Sequence, residues 1–302
     1  MLYSTDTSVA FFYRIEYVSG QRPIVPLFLM SHPLSFTKAF YGLKIFITCE
    51  VNMTEKRCWL LLVLILFFFV CVIPAIADTS NGYWAPWVTK TNTTSGVINW
   101  WQETQGSGWT VAYATASYYD ANGKFDHRVP DPDPDPANFH HVLLTSLEPN
   151  TTYKYLVGPS GSDSSGNNQV FSVRQFQTFP VSGPFSFIVI SDTHAQERRF
   201  RYVADALANE SGVLFILDGG DYASHDVESQ WAYYYGYGDR MLANFSLYTS
   251  IGNHEYHNGT AENVSTDAYY YRNSFVNPLY YSFDCAGIRF VSLDSPDPTN
   301  PN

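Results

Sequence analysis

Three short blocks of this sequence combine residue types that bind cations. Asp192-Thr193-His194 follows the apolar run 185–190, Gly220-Asp221 follows the run 213–217, and Gly252-Asn253-His254-Glu255 follows the run 247–251. An Asp and a His two residues apart on one loop can chelate a single cation. A second Asp from the next strand end can bridge two cations, and an Asn amide oxygen can complete the second site. A lone Asp-x-His or Gly-Asp signifies little, because ordinary turns use both. Three such blocks in order, each directly after a strand, point to converging loops.

The elements that must position these blocks read as an α/β layer. Residues 185–190 form a continuous apolar run, as expected of a strand buried on both faces, and 213–217 and 247–251 repeat the pattern. Helical stretches lie between them, one carrying Phe200, Val203 and Leu207 on one side and one running from Trp231 to Leu242. In such alternating folds, functional loops gather beyond the carboxyl ends of the strands.

The segment before this layer is different. Between residues 82 and 180, short β-rich runs (97–101, 109–115, 141–144, 153–157, 170–176) are separated by Gly, Pro and Asn, which argues for an antiparallel sandwich. The Asp131-Pro-Asp-Pro-Asp-Pro136 stretch reads as an extended loop, since Pro removes ladder donors. Trp100, Trp101 and Trp109 are expected in the core rather than in a ligand patch.

The chain has 302 residues, 45% of them hydrophobic and 17% aromatic, too apolar for a disordered polymer and long enough for two domains. Its 17 Lys and Arg face 28 Asp and Glu, a net charge of −11, so it lacks the basic surface of a nucleic-acid scaffold. Lys56 and Arg57 precede an apolar run over 58–77 that ends in Pro74 and Ala75-Ile76-Ala77, the pattern of a signal peptide. Residues 53–77 are therefore expected to be a signal peptide starting at Met53, and 1–52 an unassigned leader or an over-extended start. The product would be secreted; the alternative is a membrane anchor formed by 58–77. Without residues 1–77 the rest carries 11 basic and 24 acidic residues and one cysteine, Cys285, so no internal disulfide is possible. Six Asn-x-Ser/Thr sequons follow, at Asn92, Asn150, Asn209, Asn244, Asn258 and Asn263.

Leu147-Glu-Pro-Asn-Thr-Thr-Tyr153-Lys-Tyr155 resembles the loop-to-strand corner of fibronectin type III-like domains, where a Leu plugs the core and a Tyr hydroxyl bonds back to the loop. The three cation-type blocks resemble those of the calcineurin-like metallophosphoesterases. The attached sandwich, and the strand pair of 280–284 and 287–295, make residues 82–302 similar to purple acid phosphatase-type enzymes. The resemblance implies a two-domain α+β chain: a fibronectin type III-like sandwich over 82–180, then an incomplete α/β phosphoesterase layer over 184–302.

It also implies roles. Asp192 and His194 would bind one metal ion, Asp221 would bridge two, and Asn253 would bind the second. His254 would face the phosphate, stabilise transition-state charge and protonate the leaving group, while Glu255 would support His254 or its loop. Two divalent or trivalent ions (Fe, Mn or Zn) would activate a hydroxide for in-line attack on a small phosphate ester.

Two departures qualify these expectations. The family's later histidine blocks, the last of form Gly-His-x-His, are not found before Asn302, so this polypeptide alone is expected to bind metal poorly and to hydrolyse little. Purple enzymes also place an iron-binding Tyr three residues after the bridging Asp; here that position is Ser224, and His194 stands in for the phenolate, which predicts a colourless protein. The competing function is a non-catalytic secreted or surface-anchored adhesion module keeping a decayed phosphatase half. His225, His257 and the Tyr233–Tyr237 cluster are read as loop or packing residues.

Overall fold

The computed structural model describes residues 11–17, 82–103, 108–132, 138–159, 171–194, 198–256, 268–276 and 278–294. The expected signal peptide over 53–77 and His257 lie outside them. Among the described residues, no helix is long and apolar enough to cross a membrane.

The chain opens with β1 (Phe11–Tyr17), followed by β2 (Tyr83–Thr89), β3 (Gly96–Gln102), β4 (Trp109–Thr115), α1 (Ala116–Asn122), β5 (His127–Pro130), β6 (Phe139–Leu144), β7 (Thr152–Pro159) and β8 (Arg174–Gln177). Next come β9 (Phe185–Ser191), α2 (Arg198–Leu207), β10 (Val213–Asp218), α3 (Glu228–Leu242) and β11 (Ser246–Thr249). A 3-10 turn (His254–Tyr256), α4 (Tyr269–Phe275), β12 (Tyr281–Cys285) and β13 (Ile288–Ser292) complete the described elements.

The first half is a sandwich. The β5-β4-β7-β8 sheet faces β2, β3 and β6 across a core containing Val88, Ile98, Trp100, Val111, Tyr155, Val157 and Phe176. Leu147 is buried in that core, and the Tyr153 hydroxyl accepts a 2.8 Å hydrogen bond from the Glu148 amide, so the corner expected from sequence is formed. Trp100, Trp101 and Trp109 are all buried, and none lies on the surface as a ligand patch. The sandwich also contains a helix, α1, which no hydrophobic period announces: it buries none of its residues and is set by the Thr115 side-chain cap and the left-handed Gly123.

The sandwich and the α/β layer are not separate sheets. β9, β10 and β11 run parallel, as their apolar runs predict, but β11 also pairs in parallel with β2. The result is one seven-stranded sheet in the order β1-β9-β10-β11-β2-β3-β6. Part of the stretch expected to be a leader takes a place in it, because β1 pairs antiparallel with β9.

Both faces of this sheet are covered, which explains its uninterrupted apolar strands. Ile188 and Ile190 point toward Phe200 of α2, Trp231, Tyr234 and Tyr235 of α3, and Phe275 of α4. Phe185 and Phe187 point the other way, toward Phe283 and Phe290 of the β12–β13 hairpin and the buried thiol of Cys285. Trp84 of β2 stacks on Tyr235 of α3 at a ring separation of 4.9 Å, Trp87 lies tilted against the same ring at 4.2 Å, and Trp87 Nε1 donates to the Ser274 carbonyl. Two halves that read as independent in sequence therefore share a core. Of the Tyr cluster, Tyr234 and Tyr235 pack inward while Tyr233 is exposed.

The sandwich carries a pH-sensitive group. His141 Nδ1 lies 2.8 Å from Asn99 Oδ1, and burial, with smaller repulsions from His140 and Lys90, pushes its pKa down to about 4. An unfolded chain takes up a proton near pH 6.5 that the folded imidazole refuses. Stability from this site is thus full above about 6.5 and is lost as pH falls toward 4. Allowing for partial exposure, the loss is about 2 kcal/mol. Urea midpoints at pH 7.5 and 4.5 check it: His141→Gln should remove that share of the acid sensitivity.

Candidate metal centre

The three blocks meet at the carboxyl ends of β9, β10 and β11, where the parallel ladder continues into the loops. The Asp192 amide donates to the Gly220 carbonyl at 3.0 Å, the His194 amide to Asp221 at 2.9 Å, and the Ser250 amide to Asp218 at 2.8 Å. Backbone bonds thus align the loops before any side chain acts.

The turns are tight. Asp192, His194 and Asp221 all have positive φ (61°, 45° and 57°), a left-handed conformation that costs non-glycine residues and recurs at functional sites. Gly220, at φ 105°, and Gly252 let two loops touch. A Cβ on Gly220 would run into the backbone of Gly252, and one on Gly252 would run into the Asp221 carboxylate and amide. Both glycines are required by close approach.

Glu255 locks the contact. Its side chain is fully buried, and it accepts the amides of Gly252 (2.8 Å), Asp221 (2.9 Å), Tyr222 (2.9 Å) and Ala223 (3.5 Å). One carboxylate therefore holds the loop after β10 to the loop after β11. Burial, then the Asp221 charge, pushes its carboxyl well above the usual range, while the amides pull the other way. The expected supporting role of Glu255 is clear in kind; that it clamps two loops was not legible in sequence.

Within this frame, His194, Asp221 and His254 each offer a donor atom, all within 4.8 Å of one another. Asp192 joins them through a 2.7 Å contact between its Oδ1 and His194 Nε2, and Asp221 Oδ1 accepts the His254 amide at 3.1 Å. The two imidazoles sit edge to face at 4.5 Å. One imidazole (His194) with two carboxylates (Asp192 and Asp221) suits Zn, Mn or Fe, so the donors fit a transition metal. Asn253 lies exposed on the same loop as His254.

Neighbouring residues that sequence singled out take other positions. The buried Tyr222 hydroxyl is shared between the carbonyls of Asp218 and Ser250, turned away from the cluster's donors. Ser224 contacts both imidazoles. His225 is tied to Gln230 through its amide and its Nδ1. Sequence reasoning passed over Asp226, which binds the Trp231 indole at 2.8 Å and the amide of Tyr270 at 3.1 Å, joining this loop to α3 and α4. Burial raises its carboxyl to about 6.

Comparison with known proteins finds relatives for both halves of the chain. Residues 71–178 match the model of the purple acid phosphatase N-terminal domain, and residues 185–296 match that of the calcineurin-like phosphoesterases. The second half of the chain is thus similar to the calcineurin-like phosphoesterases, and the first half to the N-terminal domain of purple acid phosphatases. The chain is 25% identical over 187 residues to purple acid phosphatase 15 of Arabidopsis thaliana, covering 51% of this chain and 34% of that protein. It is 28% identical over 200 residues to purple acid phosphatase 13 of the same plant, covering 52% and 36%. The chain thus spans about a third of the length of the curated relatives it matches. A purple acid phosphatase structure from yellow lupin (Lupinus luteus) seeds shares the fold at a TM-score of 0.54 and 16% identity, over 71% of this chain and 46% of that one.

Proposed function

We propose that the full protein hydrolyses small phosphate esters at this centre, with Asp192, His194, Asp221 and Asn253 holding a pair of cations and His254 acting on the phosphate. The observation that carries the reading is the convergence of His194, Asp221 and His254, from three successive strand ends, to within 4.8 Å. Its similarity to purple acid phosphatases and calcineurin-like phosphoesterases favours this over an adhesion module with a decayed phosphatase half.

Bound cations supply Lewis acidity toward phosphoryl oxygens and make a water nucleophilic near neutral pH. The chain's residues do the rest. A carbonyl oxygen can only accept, so the 2.9 Å contact with the Ser224 carbonyl puts a proton on His254 Nδ1. Its Nε2 is then the atom that carries the exchangeable proton. Protonated, it donates toward phosphate charge and passes that proton to the departing alkoxide oxygen, ending as the neutral ring. Ser224 in place of an iron-binding Tyr, with the Tyr222 hydroxyl committed to carbonyls, supports a colourless site.

The segment 53–77 supports export, and the Leu147 and Tyr153 corner supports a fibronectin type III-like sandwich. On export, Asn92, Asn150 and Asn209 would offer exposed sequons, whereas Asn244 is half-buried and the Ser246 of its sequon is buried.

The test is hydrolysis of 4-nitrophenyl phosphate by the full-length protein. Chelation should lower the rate by about tenfold or more, with recovery on adding Mn, Zn or Fe ions. Turnover unaffected by a chelator that strips all metal would sink the proposal.

A further inference from the structure

We propose that Ser224 is the positioning residue for both imidazoles of the centre, its hydroxyl holding His194 and its carbonyl holding His254. The inference rests on reading the site as a metal centre, and it adds a residue that is not itself one of the proposed ligands. The contacts are Ser224 Oγ to His194 Nδ1 at 3.2 Å and Ser224 O to His254 Nδ1 at 2.9 Å. Both rings are thus gripped by the same atom, Nδ1, from one residue. That common grip accounts for two side chains from different loops standing edge to face at 4.5 Å.

The two grips differ in chemistry. The carbonyl accepts only, so it fixes His254 with its proton on Nδ1. The hydroxyl both donates and accepts, and His194 needs both. With Nε2 2.7 Å from the Asp192 carboxylate, the neutral His194 ring keeps its proton on Nε2, and Nδ1 accepts the Ser224 O–H. When Asp192 and Nε2 share a cation instead, Nε2 carries no proton. The ring proton then sits on Nδ1, and Ser224 Oγ accepts it. A serine or threonine serves both states; an alanine serves neither. Such partners orient ligand histidines and raise metal affinity.

Ser224 is itself held still. The preceding amides of Tyr222 and Ala223 are bound by the buried Glu255 carboxylate. The backbone leading into Ser224 is therefore anchored, and one residue on that anchored loop presents both contacts.

The experiment is nitrogen-15 NMR of the imidazoles in the metal-free full-length protein, paired with zinc titration. In the wild type, His194 and His254 should each show one tautomer. In Ser224→Ala, the bare Nδ1 of His194 should change its nitrogen-15 shift as it loses the hydroxyl donor, its proton staying on Nε2 beside Asp192, while His254 stays as it was, because the carbonyl remains. Zinc affinity should fall about 10–100-fold in Ser224→Ala and return to near the wild-type value in Ser224→Thr. An unchanged His194 pattern in Ser224→Ala, or a threonine variant as weak as alanine, would overturn the role. A wild type that binds no zinc, manganese or iron would instead overturn the metal-centre reading, and the His194 Nδ1 shift would still decide Ser224.

Discussion

Asp221→Asn in the full-length protein should lower kcat/KM for an aryl phosphate by about three orders of magnitude. The reason is its place at the middle of the centre. Its carboxylate lies within 4.8 Å of donor atoms on both His194 and His254, and it accepts the His254 amide at 3.1 Å. An amide keeps the shape and one acceptor but removes the negative charge that would hold two cations together. Lewis-acid stabilisation is worth several kcal/mol, and each 1.36 kcal/mol is tenfold in rate. The fold should survive, because the Asp221 amide bond to Glu255 is made by the backbone. Steady-state kinetics with metal analysis of the same sample check this. Wild-type turnover in the variant would show that the bridging role belongs elsewhere.

Glu255→Ala should produce the largest loss of stability of any single change at the site, about 4 kcal/mol. The carboxylate accepts amides from Gly252, Asp221, Tyr222 and Ala223, and it is fully buried. Hydrogen bonds to a charged group are worth about 1.5–3 kcal/mol, and buried donors left unpaired cost about 1–3 kcal/mol each. Their sum is offset by water entering the space. Glu255→Gln keeps one acceptor oxygen but turns an amide N–H toward backbone N–H groups, so an intermediate loss of about 2 kcal/mol is expected. Urea unfolding at neutral pH measures both. If alanine cost no more than about 0.5 kcal/mol, as a surface change would, the two loops must be held together by something else.

Much of this protein could be read before folding. Residues 185–190 and 213–217 announced buried strands because a sheet covered on both faces needs apolar residues at every position, not at alternate ones. The blocks Asp192-Thr193-His194, Gly220-Asp221 and Gly252-Asn253-His254-Glu255 announced a site because each follows such a strand directly, and parallel strands deliver their ends to one edge. The Leu147 and Tyr153 corner was legible because its contact, Tyr153 to the Glu148 amide, is local in sequence.

What sequence could not reveal depends on partners distant along the chain. The pairing of β11 with β2, which merges sandwich and phosphoesterase layer into one sheet, joins residues more than a hundred positions apart and leaves no mark on either strand's pattern. The clamp by Glu255 and the double grip of Ser224 are likewise contacts between loops, and their residue types are common on any surface. Local chemistry and period therefore determined which strands form and which side chains meet at their ends. Only the tertiary structure decided which residues orient those side chains, because orientation is set by hydrogen bonds that exist solely once the loops have come together.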